Sequence, residues 1–192
     1  MISRRSVKVV FIIGLAVAAA LSAVAATQET VSTEFRGRIF MGGGPNRPGA
    51  LTTRIIITGY TNMDEVRKFQ ERLNAGDVDG FYNEFRAVKK GEMRFVGGAG
   101  LQINFNAAQE QQTEKGVKIF LMSESRSIET GTSKRVGGSA LFFVVELDLD
   151  KKFEGEGKVY EDARISFTPE GGIKMDSYLT TPKMIVNVRK SK

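Results

Sequence analysis

The chain has 192 residues, of which 41% are hydrophobic and 26% charged, with 21 Gly, 4 Pro and a formal net charge of +6. That is enough apolar material for one domain with its own core, and too ordinary a charge content for broad disorder. Cys, His and Trp are all absent. Their absence excludes disulfides, thiolate nucleophiles, iron–sulfur clusters, His-ligated zinc, Ser-His-Asp and Cys-His catalysis, and the Trp platform that commonly stacks a sugar. An all-carboxylate metal site and the chemistry of Lys, Asp, Glu or Tyr stay open.

Arg4, Arg5 and Lys8 form a basic n-region, the apolar run Val9–Leu21 follows, and Ala23-Val24-Ala25 supplies a small-x-small cleavage pattern. This is the layout of a secretory signal peptide, with cleavage expected after Ala25 and Ala20 as a second site. The competing reading is an uncleaved helix at residues 9–26 anchored in the inner membrane. That stretch falls short of the roughly 20 apolar residues a spanning helix needs. Cleavage removes three cations and takes the net charge from +6 to +3. Much of the basic balance is then a targeting signal and not a nucleic-acid footprint. No Asn-x-Ser/Thr sequon occurs.

Residues 26–33 read as a flexible lead-in, and 34–192 as a single domain. Glu34–Phe40 alternates, with Phe35 and Ile39 opposite Arg36 and Arg38, and is the first expected strand. Met41–Ala50 is a Gly/Pro loop. Its glycine amides, flanked by Arg38 and Arg47, could form an anion nest, although no helix follows to add its dipole. Arg54–Tyr60 is the second strand. Then the period changes. Asn62 and Glu65 make a capping box, and Met63, Val66, Phe69 and Leu73 keep one helical face up to Gly76. Asp77 caps a second helix with Val78, Phe81, Tyr82, Phe85 and Val88 in register. Lys89 and Lys90 sit in its expected last turn, and Gly91 after it. Two short amphipathic helices therefore span Asn62–Lys90.

From Glu92 the period returns to two. Glu92–Val96 is a short strand and Gly97–Gly100 a turn. Leu101–Asn106 follows, with amides Gln102, Asn104 and Asn106 along one face. Such a face reads as ordinary solvent surface, or less often as a polar-ligand surface. Gln109–Lys115 is expected to be a polar loop, Val117–Arg126 a strand and Ser127–Gly138 a loop. Ala140–Asp150 is the most informative segment. Its first half is apolar on both faces and its second half on one, so it should lie mid-sheet with cover on each side. Lys151–Gly157 is expected to turn. The acids Glu146, Asp148, Asp150, Glu154 and Glu156 invite a calcium reading, but their spacing fails the EF-hand pattern. Val159–Phe167, Ile173–Thr180 and Met184–Val188 complete the sheet, with turns at Thr168–Gly172 and around Pro182.

Several of these segments resemble a group of uncharacterised short exported bacterial proteins of unknown function. They are the helix end at Lys89-Lys90-Gly91-Glu92, Glu114-Lys115-Gly116-Val117-Lys118-Ile119 and Glu146-Leu147-Asp148-Leu149-Asp150. Gly155-Glu156-Gly157-Lys158, Thr181-Pro182 and Asn187-Val188-Arg189 continue it. The resemblance implies location and a shared fold, and carries over no catalytic residue.

The expected fold is α+β: a mostly antiparallel, twisted sheet of eight or nine strands, as a sandwich or a partly closed barrel. Two short helices lie on a face or plug an end, and a signal helix precedes the domain. No catalytic, cofactor-binding or metal residue is nominated, and no cofactor is expected. The leading functional expectation is a non-enzymatic periplasmic or secreted protein that acts through surface contacts with an envelope partner. One alternative is a binder of a small apolar ligand between sheet and helices, motivated by Phe69, Phe81, Tyr82, Phe85, Phe142 and Phe143. A second is a hydrolase using paired carboxylates. Nucleic acid is not an expected partner, and the membrane is expected only during export.

Overall fold

The computed structural model describes residues 32–40, 49–97, 100–125, 128, 140–168 and 172–191. The signal segment, most of the lead-in, the glycine loop after Phe40 and the Ser127–Gly138 loop lie outside them, apart from Ile128. Ten strands and two helices follow one another: β1 (Thr33–Phe40), β2 (Ala50–Ile57), α1 (Met63–Asn74), α2 (Val78–Ala87), β3 (Gly91–Val96) and β4 (Gln102–Phe105). Then come β5 (Ala107–Gln112), β6 (Gly116–Glu124), β7 (Phe142–Asp150), β8 (Glu154–Phe167), β9 (Ile173–Tyr178) and β10 (Lys183–Lys190). Every pairing is antiparallel.

The sheet runs β4-β3-β2-β1-β10-β8-β7-β6-β5, with β9 added to the far end of β8. Its two terminal strands are consecutive in the chain, separated only by Asn106. The Asn106 N–H donates to the Met122 carbonyl at 2.7 Å. β4 and β5 are thus two halves of one bent strand, the first paired with β3 and the second with β6. The sheet curls into a nearly closed barrel, the arrangement expected beside the sandwich. Near-closure leaves few unpaired strand edges.

β5 corrects the expectation of a loop at Gln109–Lys115. Its residues Ala107–Gln112 lack an apolar alternation, so the sequence carries no strand signal. Tertiary pairing with Met122–Val117 imposes the strand. Its amides are also used: Ile173 N–H donates to Gln109 Oε1 at 2.5 Å, and Gln111 Nε2 donates to the Ile173 carbonyl. β8 begins at Glu154, inside the expected Lys151–Gly157 turn. Gly155 and Gly157 lie opposite Leu149 and Leu147 and carry no side chain that would reveal the period.

The capping box forms as read. Asn62 Oδ1 accepts from Glu65 N–H and Glu65 Oε2 accepts from Asn62 N–H, both at 2.9 Å. Asp77 Oδ1 accepts from Gly80 N–H. The second helix stops at Ala87, earlier than the expected Lys90, because Val88 is already extended. Arg86, and not Lys89 or Lys90, is the cation of its last turn. Gly91 opens β3 instead of ending the helix. A Cβ there would sit 2.2 Å from the Ile56 carbonyl oxygen, so only glycine fits.

Two apolar layers result. The barrel interior holds Phe35, Ile39, Ile55, Met93, Ile103, Phe105, Ile119, Leu121, Phe143, Val145, Leu147 and Ile185. A second layer, outside the barrel wall, packs Phe69, Phe81, Tyr82 and Phe85 of the helices on Phe120, Met122, Phe142, Val144, Tyr160 and Ala163. Adjacent residues of β6 and β7 therefore serve opposite layers. This is the two-sided cover expected for Ala140–Asp150, with Asp148 and Asp150 left wet.

Candidate functional site: an arginine row on the bare side of the barrel

Among the described residues, α1 and α2 cover one side of the barrel and no helix covers the other. On the opposite side, outward positions of β1 to β3 carry Glu34, Arg36, Arg38, Phe40, Thr52, Arg54, Glu92, Arg94 and Val96. Register turns these into rows across the strands. Arg36 lies opposite Arg189 on β10 and opposite Arg54 on β2, and Arg54 lies opposite Arg94 on β3. Four arginines from four neighbouring strands thus form one line. Strand spacing of about 4.8 Å makes it roughly 14 Å long.

Arg189 reaches this line through a bulge. Between Arg36 and Arg38 on β1, the partner strand β10 steps from Arg189 to Val186, one residue too many. The same extra residue recurs against β8, between Ile185/Gly157 and Val188/Gly155. Asn187 takes up the irregularity with φ 54°, a left-handed conformation that asparagine tolerates better than most residues. Strict alternation from Ile185 would aim Arg189 inward. The bulge flips the parity, so Val188 enters the core and Arg189 faces out.

Like charges directly opposite on a sheet repel. Two carboxylates in the adjoining row offset this. Glu34 accepts from Arg36 Nε at 2.8 Å, from Arg54 Nη2 at 2.6 Å and from Ser191 Oγ at 3.1 Å. The hydrogen bonds from Arg54 and then Arg36 pull its carboxyl down to about 2. Glu92, buried on its strand, accepts from Lys89 and from Gln102 and pairs with Arg94. The Lys89 ammonium is the main cause of its lowered pKa. Arg38 and Arg189 have no hydrogen-bond or ion-pair partner among the described residues, and both are exposed.

Around Arg38 and Arg189 the surface is concave. One depression of about 680 Å³ is lined by Arg36, Arg38, Asn187 and Arg189 among others. Beside it, another of about 470 Å³ adds Lys152 and Lys190 and shares Arg36, Arg189 and the carboxylate Glu154. Lys190 Nζ also sits 4.9 Å from the centroid of the Phe153 ring. Guanidiniums presented in this way suit bidentate pairing with phosphate or carboxylate oxygens.

The other residues singled out by sequence take structural places. Of the proposed anion nest, Arg38, on the outer face of β1, and Gly49 are described; Gly42, Gly43, Gly44 and Arg47 lie outside the described residues. In the amide row, Gln102 donates to Glu92, and Asn106 Nδ2 donates to the Val88 carbonyl at 2.7 Å, tying the end of α2 to the barrel. Of the acids of β7 and β8, Asp148 lies opposite Glu156, and Glu146 and Asp148 share Lys118, beside a shallow depression of about 160 Å³ that Glu156 and Lys158 also line. Glu146 pairs with Lys118 at 2.9 Å, and Asp150 Oδ1 accepts from the backbone of Lys152 and Glu154 within a turn. Among the described residues no three acidic side chains group as a metal site requires.

Two neighbouring buried carboxylates exist elsewhere, at a second bulge in β8. There Tyr160 to Ala163 faces Val144 to Phe142. Glu161 pairs with Lys183 and accepts from Ile128 N–H, while Asp162 Oδ1 accepts from Ser125 Oγ at 2.6 Å. Sequence reasoning missed the arginine row because its members lie up to 153 residues apart. The visible signal was limited to Arg36 and Arg38 alternating in β1.

The architecture is thus an α+β protein built on a nearly closed antiparallel barrel, helix-covered on one side and basic on the other. No known family, curated protein or solved structure matches the chain. Among the described residues no helix is long and apolar enough to cross a membrane.

Proposed function

We propose that this is an exported, periplasmic or secreted, non-enzymatic protein that works through contacts made by the basic outer face of β10, β1, β2 and β3. The observation carrying this reading is the register-built row Arg189–Arg36–Arg54–Arg94, with Arg38 and Arg189, which have no partner among the described residues, beside a depression. Glu34 and Glu92 offset the charge of Arg36, Arg54 and Arg94 within the fold, so Arg38 and Arg189, exposed and without a partner among the described residues, are the cations an anionic partner would engage. Export rests on the basic, apolar and small-residue layout of the first 25 residues.

The alternatives draw less support. Phe69, Phe81, Phe85 and Phe142 contact one another with ring centroids 5.1 to 5.7 Å apart, so these rings fill the layer where an apolar ligand would lie. Phe143 faces the barrel interior instead. The paired carboxylates Glu161 and Asp162 are engaged by Lys183, Ile128 N–H and Ser125, which is what a structural pair needs.

The test combines location with contact. Intact mass of the protein from an exporting host should begin at Ala26. A photo-crosslinking residue at Thr52, on the basic face, should give adducts in intact cells, whereas one at exposed Lys174 on β9 should not. Adducts at Lys174 alone, or at neither position, would reject the basic face as the contact surface.

A further inference from the structure

The basic face has a direction as well as a charge. Its lowest row holds Glu34, Ile56 and Glu92, the next the arginines, the next Arg38, Thr52 and Val96, and the rim Phe40 opposite Ala50. Phe40 is 51% exposed and Val96 50% exposed. Along the strands a row of carboxylates is followed by the arginines, then by a row in which Arg38 and exposed Val96 stand together, then by Phe40. A face that only had to stay wet gains nothing from an exposed Phe next to its arginines. An anionic bilayer surface matches both features: guanidiniums at the depth of the lipid phosphates and apolar side chains just beyond them.

We infer that this face is a peripheral membrane-binding surface that docks on bilayers rich in anionic phospholipid. Arg38, Arg189 and the arginine row contact lipid phosphates, and Phe40 and Val96 dip into the headgroup layer. The inference rests on the surface-contact reading above and names its partner as the bilayer itself. Charge complementarity selects the anionic lipid, and the apolar rim selects a lipid surface over a dissolved polyanion. A single-strand nucleic-acid groove interleaves aromatics with cations, whereas Phe40 stands two rows beyond the arginine row. Arginine in place of lysine suits phosphate because its planar fork bonds two oxygens at once.

The experiment is co-sedimentation of the protein from an exporting host with two kinds of vesicle. One is phosphatidylcholine alone, the other phosphatidylcholine mixed with phosphatidylglycerol. Expected is partitioning to the anionic vesicles at least about tenfold above the neutral ones, falling as salt is added. The double variant Arg38→Gln/Arg189→Gln should lose about 30-fold of the anionic partitioning, the effect of two surface cations at roughly 1 kcal/mol each. Phe40→Ala should lose several-fold and keep the salt dependence. All three side chains are exposed, so an unchanged melting temperature verifies the fold.

Equal partitioning to neutral and anionic vesicles, or an unchanged double variant, overturns the inference. An uncleaved apolar anchor would produce the first of these results. Binding to a single-stranded oligonucleotide that the double variant loses, while vesicle binding stays intact, overturns it in favour of a dissolved polyanion. Failure with vesicles while Thr52 still crosslinks to a protein removes the bilayer and leaves the surface-contact reading standing. Failure of both removes that reading too.

Discussion

β7 and β1 are both mid-sheet strands of one barrel, and they meet different worlds. β7 presents Phe143, Val145 and Leu147 to the interior and Phe142 and Val144 to the helices, so both faces are dry along its first half. β1 presents Phe35 and Ile39 to the same interior but Arg36, Arg38 and Phe40 to solvent. The covered side derives its stability from packing. The bare side carries a cross-strand network of Glu34 and Glu92 with arginines, beside Arg38 and Arg189, which have no partner among the described residues. The comparison teaches that one wall of this barrel is scaffold and the opposite wall is free for contact.

The sharpest way to break that comparison is to remove apolar bulk from each side. Phe81→Ala, in the aromatic layer against Phe69, Phe85 and Phe142, should cost about 3–5 kcal/mol in chemical denaturation. Val96→Ala on the bare side should cost less than about 0.5 kcal/mol. Equal losses would mean that the bare side is not bare in solution.

The seam between the two sides is the pairing of β8 with β10, where Glu161 and Lys183 are largely withdrawn from water. Glu161→Ala leaves the Lys183 ammonium without its carboxylate and should cost about 3 kcal/mol. A joint Glu161→Met/Lys183→Met change should recover most of that, because neither charge is then stranded. A double variant no more stable than the single would show that Glu161 matters through Ile128 N–H instead.

A smaller effect addresses how the bare side is built. Asn187→Val places a β-branched residue at φ 54° and should cost about 1–2 kcal/mol, whereas Asn187→Gly should be near neutral. Loss of anionic-vesicle binding by Asn187→Val, at a temperature where it stays folded, would tie the bulge to the aim of Arg189.

The smallest effect is Glu34→Gln. At neutral pH it should change stability by no more than about 1 kcal/mol, since its arginine partners are substantially exposed. Its pH signature is clearer. The folded carboxyl is held near 2, below the 4.5 of a free glutamate, so its contribution is complete above about 4.5 and is lost as pH falls towards 2. The variant should lack that part of the acid limb in a melting-temperature titration. It should also bind anionic vesicles more tightly, having one carboxylate fewer in the face. A wild-type acid limb in the variant would place the titrating group elsewhere.

Much of this molecule is legible in residue order. Asn62 and Glu65 announce α1, the stripe from Val78 to Phe85 announces α2, and the two-faced apolarity of Phe142–Val145 announces a strand buried on both sides. These features are local, because capping and periodicity act over a few residues and side-chain chemistry displays them directly. Ala107–Gln112 is not legible, because a polar strand is imposed by its neighbour and not by its own pattern. Nor is Arg189, whose outward aim depends on one extra residue in β10. The arginine row belongs wholly to tertiary structure. Its four members come from strands that meet only when β10 closes against β1, and the register of those pairings, set by which faces must be buried, decides that the cations align. The sequence by itself determined both helices, most of the strands and the absent chemistries, since each is written in contiguous residues. Which wall of the barrel is covered, and which collects charge, was decided by long-range pairing.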